Sequence, residues 1–173
     1  MSVEPSLSRP ALTFRHETPQ DQPAIEALLD RAFGPGRFVK SSERVREFAE
    51  FAPELSFCAW IDGKLLGLVR MCRVQVGETQ AAFLGPLAVD TDERSAGVGG
   101  QLVERACAAA RDAGETAVLL VGDAPYFDRF GFSAALAQGV VMPGPVDQRR
   151  VLAAALGSAP GPLVGVVGPR RPA

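Results

Sequence analysis

Along this chain the spacing of apolar residues switches between the helical repeat and the two-residue alternation of a strand, and each switch predicts an element. Residues 1–11 are polar and contain prolines, which reads as a loose N-terminal arm. Leu12 to Glu17 predicts a first strand. Thr18 then stands as an N-cap for a helix in which Ile25, Leu28, Leu29 and Phe33 keep helical spacing, and Gly34 with Pro35 stops it. A second helix is expected to start after Ser41 or Ser42, to carry Val45, Phe48 and Ala49 on one face, and to end before Pro53. From Leu55 the pattern becomes β-rich, broken at Asp62-Gly63 and Gly77-Glu78, two turn pairs of the kind that join antiparallel strands. Three strands in a meander follow. The third, about Thr79 to Val89, holds Gly85 and Pro86. A proline cannot donate to a ladder, so the sheet is expected to bulge or open there.

The next stretch is DERSAGVGGQL, Asp92 to Leu102, with Gly97, Gly99 and Gly100 crowded at the entrance of a helix expected from Val98 to Ala113. Val98, Leu102, Ala106, Ala109 and Ala113 would form its apolar stripe opposite Glu104, Arg105, Arg111 and Asp112, with Gly114 as the stop. Thr116 to Gly122, TAVLLVG, has the continuous apolar character of a strand buried on both faces and lying parallel to the strand before the helix. A βαβ crossover from Phe83 to Val121 results. DAPYFDRFGF gives one short helix and a turn, and the remaining residues predict one or two strands near Phe132 and over Leu163 to Val167. No linker or internal repeat divides the chain. One mixed α/β domain over 12–168 with a tail at 169–173 is expected.

Composition narrows the chemistry. With 47% hydrophobic residues, 22% charged residues and a net charge of -2, the chain has no bulk attraction for nucleic acid or an anionic membrane. No apolar run reaches the length of a membrane span and no leader is visible, so a cytoplasmic location is expected. Cys58, Cys72 and Cys107 lack paired spacing and His16 is the sole histidine, which argues against a metal site and for buried thiols.

A strand, a glycine-rich turn and a helix together form an anion site. The first helical N–H groups lack partners and the dipole adds roughly half a positive charge. Gly97, Gly99 and Gly100 would let phosphate oxygens reach those donors, with Arg94 adding charge. Glycines that merely allow tight helix-on-strand packing remain the alternative. A P-loop is excluded because no lysine is present in this region. A dinucleotide fingerprint would need a small residue where Leu102 stands and a shorter gap than Val89 to Gly97. Asp123, imitating a ribose-binding acid, keeps that oxidoreductase reading open.

LAVDTDERSAGVGGQL resembles motif A of the GNAT superfamily of acyl-CoA-dependent N-acetyltransferases, with Arg94-Ser95-Ala96-Gly97-Val98-Gly99 on its loop pattern. VLLVGDAPYFDRFGF and QGVVMPGPVD are similar to the later blocks of its YhbS-like subgroup, so the resemblance covers about residues 12 to 168. It implies a GNAT-like fold: a twisted, mostly antiparallel sheet with one parallel crossover, flanking helices, and splayed strands that form a slot for coenzyme A. It further implies that the amides of Ser95, Ala96, Gly97, Val98, Gly99 and Gly100, with Arg94, hold the pyrophosphate of acetyl-CoA. Leu87, Ala88 and Val89 would flank the pantetheine, and Phe127 and Arg129 would complete the cofactor site. The implied activity is direct acetyl transfer to a primary amine in a ternary complex, without metal.

For catalysis, the Val89 backbone N–H would polarise the thioester carbonyl. The family's usual acid, a tyrosine, is replaced here by Phe127, so the neighbouring Tyr126 becomes the candidate, against a tyrosine packed with Phe130 and Phe132. No base is assigned: Glu78 and Asp90 read as solvated turn acids, His16 as a surface residue, and Cys107 has nothing nearby to make it a nucleophile. Arg37, in the loop Gly34 to Lys40, is a candidate contact for an acidic acceptor. The rival to an enzyme is a coenzyme A-binding sensor or scaffold that has lost efficient catalysis. The acceptor's identity is not legible, and a homodimer is compatible with the chain.

Overall fold

The computed structural model describes residues 12–34, 41–90, 97–157 and 161–172. Strands β1 (Thr13–Arg15), β3 (Phe57–Ile61), β4 (Lys64–Val76), β5 (Thr79–Val89), β6 (Ala117–Val121) and β8 (Val151–Ala155) lie side by side in the order β1-β3-β4-β5-β6-β8. Every pairing along this path is antiparallel except β5 with β6, which is parallel and joined by the crossover helix α3 (Val98–Asp112). On the edge away from β5, β4 takes three partners in succession: β3, then the two-residue β2 (Glu50–Phe51), then β9 (Val164–Pro169), which pairs in parallel with β7 (Gly139–Val141). The meander and the crossover stand where the turn pairs and the apolar run placed them.

The period-2 alternation of the strands divides the core. Val69, Met71, Ala82, Leu84, Val118 and Leu120 face α3, while Val74, Val76, Ala81, Phe83, Leu119 and Ala153 face Val45 of α2 (Ser41–Phe48). Helix α1 (Gln22–Phe33) covers Leu65, Leu68 and Ala88 on that second face with Ile25, Leu28 and Leu29. Each helix thus buries one stripe against one side of the sheet, and the open end between β5 and β6 is left to the short helix α4 (Ala124–Phe127).

Three expectations change. The α3 stripe consists of Val98, Gly99, Leu102, Val103, Ala106 and Ala110, while Ala113 is the exposed C-cap, because the helix ends at Asp112 and its buried face is wider than a single row. No strand forms at Phe132, where a single bridge joins Ser133 to Ala153. The strand there is β8, whose VLAAA sequence has weak β propensity and is extended because Leu152, Ala153 and Ala154 complete the ladder of β6. Asp90 is not a solvated turn acid. It is buried beyond the end of β5, with Arg31 at 3.6 Å and Lys64 at 3.7 Å, whereas Glu78 is as exposed as expected. Beyond β9, Arg170 donates to both carboxylate oxygens of Glu115 at 2.7 and 2.8 Å and to the Ala81 carbonyl at 2.7 Å, which ties the C-terminal end to the sheet.

Candidate active site

The site begins with a mismatch in strand length. Val69 faces Leu87 and Met71 faces Leu84, so two steps along β4 correspond to three along β5, and the surplus residue falls at Gly85-Pro86. On its other side β5 pairs with β6 only at Ala82 and Phe83. Beyond Phe83 the two strands part, as the proline implied.

The register decides which backbone groups line the gap. The Asp90 N–H donates to the Leu66 carbonyl at 2.7 Å, and Leu68 lies opposite Ala88, so the peptide groups of Ala88 and Asp90 point toward β4. Those of Leu87 and Val89, alternating with them, point the opposite way, into a space where no strand pairs with them among the described residues. Ala88 therefore has no backbone group to offer there, and its side chain is buried beneath α1.

Next to the gap stands the N-terminus of α3. Its N-cap, Gly97, has φ +68°, and a Cβ there would meet nothing within 4 Å. The N–H groups of Val98, Gly99 and Gly100 belong to the first helical turn, which cannot pair them within the helix. Gly99 and Gly100 have a further reason to be glycine. A Cβ on Gly99 would come 2.9 Å from the Tyr126 hydroxyl, and one on Gly100 would come 3.3 Å from the Phe130 ring. The packing explanation therefore applies to these two, while Gly97 alone opens onto free space. Arg94, Ser95 and Ala96 lie outside the described residues, as does Arg37.

Helix α4 brings the remaining groups. Tyr126 lines the cavity that continues from the gap, and its hydroxyl reaches back to the first turn of α3. Its ring packs on Phe127 and Phe130, with centroids at 4.9 and 5.8 Å. Phe127 is 8% exposed and packs edge-on to Phe132, which Gly122 permits, since a Cβ there would fall 2.5 Å from the Phe127 ring. The guanidinium of Arg129 is stacked on Tyr126 at 4.6 Å and on Phe130 at 4.7 Å, with Nη2 beside Gly100, so a cation stands at the entrance of α3.

The cavity has a volume of about 620 Å³ and runs from Gly85, Pro86 and Leu87 past Gly122 and Asp123 to the faces of α1 and α2. Leu29, Phe33, Phe83 and Val146 make much of it apolar. Its charged lining groups are Glu43, Arg46, Asp123, Asp147 and Arg150, of which only Asp123 was singled out in the sequence, for a different role. Single charges on separate elements leave no pattern to read.

The thiols are unsuited to nucleophilic work. Burial pushes Cys107 up to about 11 and Cys58 up to about 12, and raises Cys72 as well. His16 is exposed at the end of β1, where Nδ1 lies 2.9 Å from the Ser56 carbonyl oxygen. No cluster of potential metal ligands occurs among the described residues, and no helix there is long and apolar enough to cross a membrane.

With this geometry in view, the chain matches the model of the acetyltransferase (GNAT) family over residues 23–132, more than half of its length. It is 34% identical over 127 residues, covering 72% of this chain and 75% of the relative, to the N-acetyltransferase YhbS of Escherichia coli K12. It is 31% identical over 144 residues, 79% and 78% of the two chains, to the N-acetyltransferase YjhQ of the same organism. The crystal structure of Escherichia coli YhbS in complex with CoA is similar, with a TM-score of 0.76 at 27% identity over 99% of this chain and 94% of that one. So is a GNAT family acetyltransferase from Brucella melitensis in complex with acetyl-CoA, with a TM-score of 0.69 at 26% identity over 92% and 96%.

Proposed function

The chain belongs to the GNAT acetyltransferase family, and from that premise we propose that it transfers the acetyl group of acetyl-CoA directly to a primary amine, with both substrates bound at once. The observation that carries this reading is the pair of amides, Leu87 and Val89, without a backbone partner among the described residues and facing a gap in the sheet beside the first turn of α3. The residues present fit the cofactor: Gly97 leaves open space at a helix N-terminus, Arg129 stands over that turn, and the cavity begins where the strands part. Acetyl-CoA, when bound, supplies the acyl group as a reactive thioester.

The chain's own groups divide the work. The amides of Ser95 to Gly100, together with Arg94 and Arg129, hold the diphosphate as charge-assisted hydrogen-bond donors. Leu87 and Val89 receive the pantetheine as a sheet edge receives an added strand. The Val89 N–H, fixed in place before reaction, is the donor for the carbonyl oxygen on which charge develops. Tyr126 reaches toward the same place from α4 and donates the proton that the departing sulfur takes. Phe127 has no hydroxyl and is buried in the core, so Tyr126, whose hydroxyl lies beside Gly99, takes that part. A cysteine relay is disfavoured, because burial pushes Cys107 up to about 11 and Cys58 up to about 12, so that little thiolate forms near neutral pH.

Thiol release from acetyl-CoA, followed with and without a mixed pool of amines, tests the proposal. An acetyltransferase releases thiol at a rate that depends on the amine and yields an acetylated product. A protein that only senses coenzyme A would bind the cofactor and release thiol no faster than buffer, which would overturn it.

A further inference from the structure

The charged groups of the cavity are not equivalent. Asp147 is taken: Arg149 donates to both of its oxygens, from its backbone N–H and Nε to one and from Nη2 to the other. Glu43 is held by Nη2 of Arg46 at 2.5 Å, one helical turn away, and Nη1 of that arginine is covered without an acceptor among the described residues. Two groups at the mouth remain. Arg150 is exposed and spends only Nε, on the Gly122 carbonyl at 3.3 Å, so its two terminal nitrogens have no acceptor among the described residues. Asp123 is exposed beside it and makes no side-chain capping bond to α4.

Backbone pairing fixes these two beside each other. The Gly122 N–H donates to the Arg150 carbonyl at 2.9 Å while the Arg150 side chain returns to the Gly122 carbonyl, and Asp123 is the next residue along. A cation and an anion thus both line the mouth of a cavity that opens from the acyl slot and whose apolar walls are Leu29, Phe33, Phe83 and Val146. A guanidinium with two free parallel donors matches a carboxylate. A free carboxylate next to it matches an ammonium.

Building on the acetyltransferase reading, we propose that the acceptor is an amine that also carries a carboxylate: Arg150 binds the carboxylate, and Asp123 receives the ammonium. One proton then passes from the ammonium to Asp123 and on to water, which frees the nitrogen lone pair. The nitrogen passes a second proton to water as the C–N bond forms and the C–S bond breaks. Tyr126 protonates the sulfur to give the free thiol, and the tyrosine regains its proton from water, so that one proton in all is released. Asp123 supplies the base that the third meander strand lacks, and Arg150 sets specificity.

The test compares amino carboxylates, α and ω, with their own carboxamides as acceptors, in the full-length protein saturated with acetyl-CoA. The carboxamides lose the charge at the carboxyl end and carry somewhat less basic amines, which would make them react faster if Arg150 had no role. Expected is a kcat/KM at least tenfold higher for carboxylate-bearing acceptors. Arg150→Gln should cut that preference below threefold, Arg150→Lys should restore part of it, and the calorimetric Kd for acetyl-CoA should stay within twofold throughout. Equal rates for both series, or a preference that Arg150→Gln leaves intact, would overturn the proposal. So would acetylation of neither series by protein that binds acetyl-CoA, in which case the cofactor site stands and the acceptor assignment falls. Loss of acetyl-CoA binding in the unaltered protein would bring down the acetyltransferase reading and this one together.

Discussion

At the scale of single residues, one hydroxyl carries the catalytic account. Tyr126 is bracketed by Phe127, Phe130 and the guanidinium of Arg129, and its oxygen meets the one turn of α3 where Gly99 leaves room. Tyr126→Phe removes the oxygen and keeps the ring. Since a thiolate leaves readily even without an acid, kcat should fall by about 10- to 100-fold, at the low end for general acid catalysis. Steady-state kinetics should show the KM for acetyl-CoA within about threefold; an unchanged kcat would return Tyr126 to a packing role. The family resemblance placed Phe127 at the usual tyrosine position and left Tyr126 as a candidate acid against a packing role, but did not show which way its ring turned. That direction depends on Gly122, where the absence of a Cβ lets Phe127 fold into the core and leaves Tyr126 facing α3.

At the scale of elements, glycines and caps set the joins. Gly77 and Gly165 meet where β9 crosses the turn after β4: a Cβ on Gly165 would fall 2.5 Å from the Gly77 Cα, and its φ is +129°. Gly165→Ala should therefore cost about 2 to 4 kcal/mol in urea unfolding. Acetyl-CoA affinity should not change, because the site lies on the other side of β4. At the start of α1, Arg15 donates to both oxygens of Asp21 at 2.8 and 2.9 Å, and the Thr18 N–H adds a bond at 2.8 Å. The Arg15 hydrogen bond above all holds that carboxyl down to about 2, from an ordinary value of 3.8. A depressed carboxyl stabilises the fold above its unfolded value and loses that contribution as the pH falls from about 4 through 2. Asp21→Asn should thus destabilise by about 1 to 2 kcal/mol at pH 7, screening at the half-exposed Arg15 included, and the gap to the unaltered protein should close near pH 2. A gap constant with pH would contradict the assignment. Local patterns revealed α1, the meander and the crossover because each keeps one period. They missed β8, since nothing in VLAAA asks for a strand until the edge of β6 supplies hydrogen-bond partners.

At the scale of the whole molecule, β5 and β6 pair only at Ala82 and Phe83 before they part, and the helix that joins those two strands begins beside that opening. The proline in β5 and the glycines of α3 lie on successive elements and announce the opening separately. The charges that line the cavity come from α2, the end of β6 and the segment before β8, and only the folded topology brings them together. The central claim is that backbone amides on the two sides of this opening hold acetyl-CoA. A nitrogen-15 correlation spectrum recorded through a saturating acetyl-CoA titration tests it most directly. The amide signals of Leu87, Val89 and Gly97 to Gly100 should shift together and saturate at one equivalent, while the N–H of Ala88, which points toward β4, moves least. Signals of these residues that stay in place at saturation would contradict it.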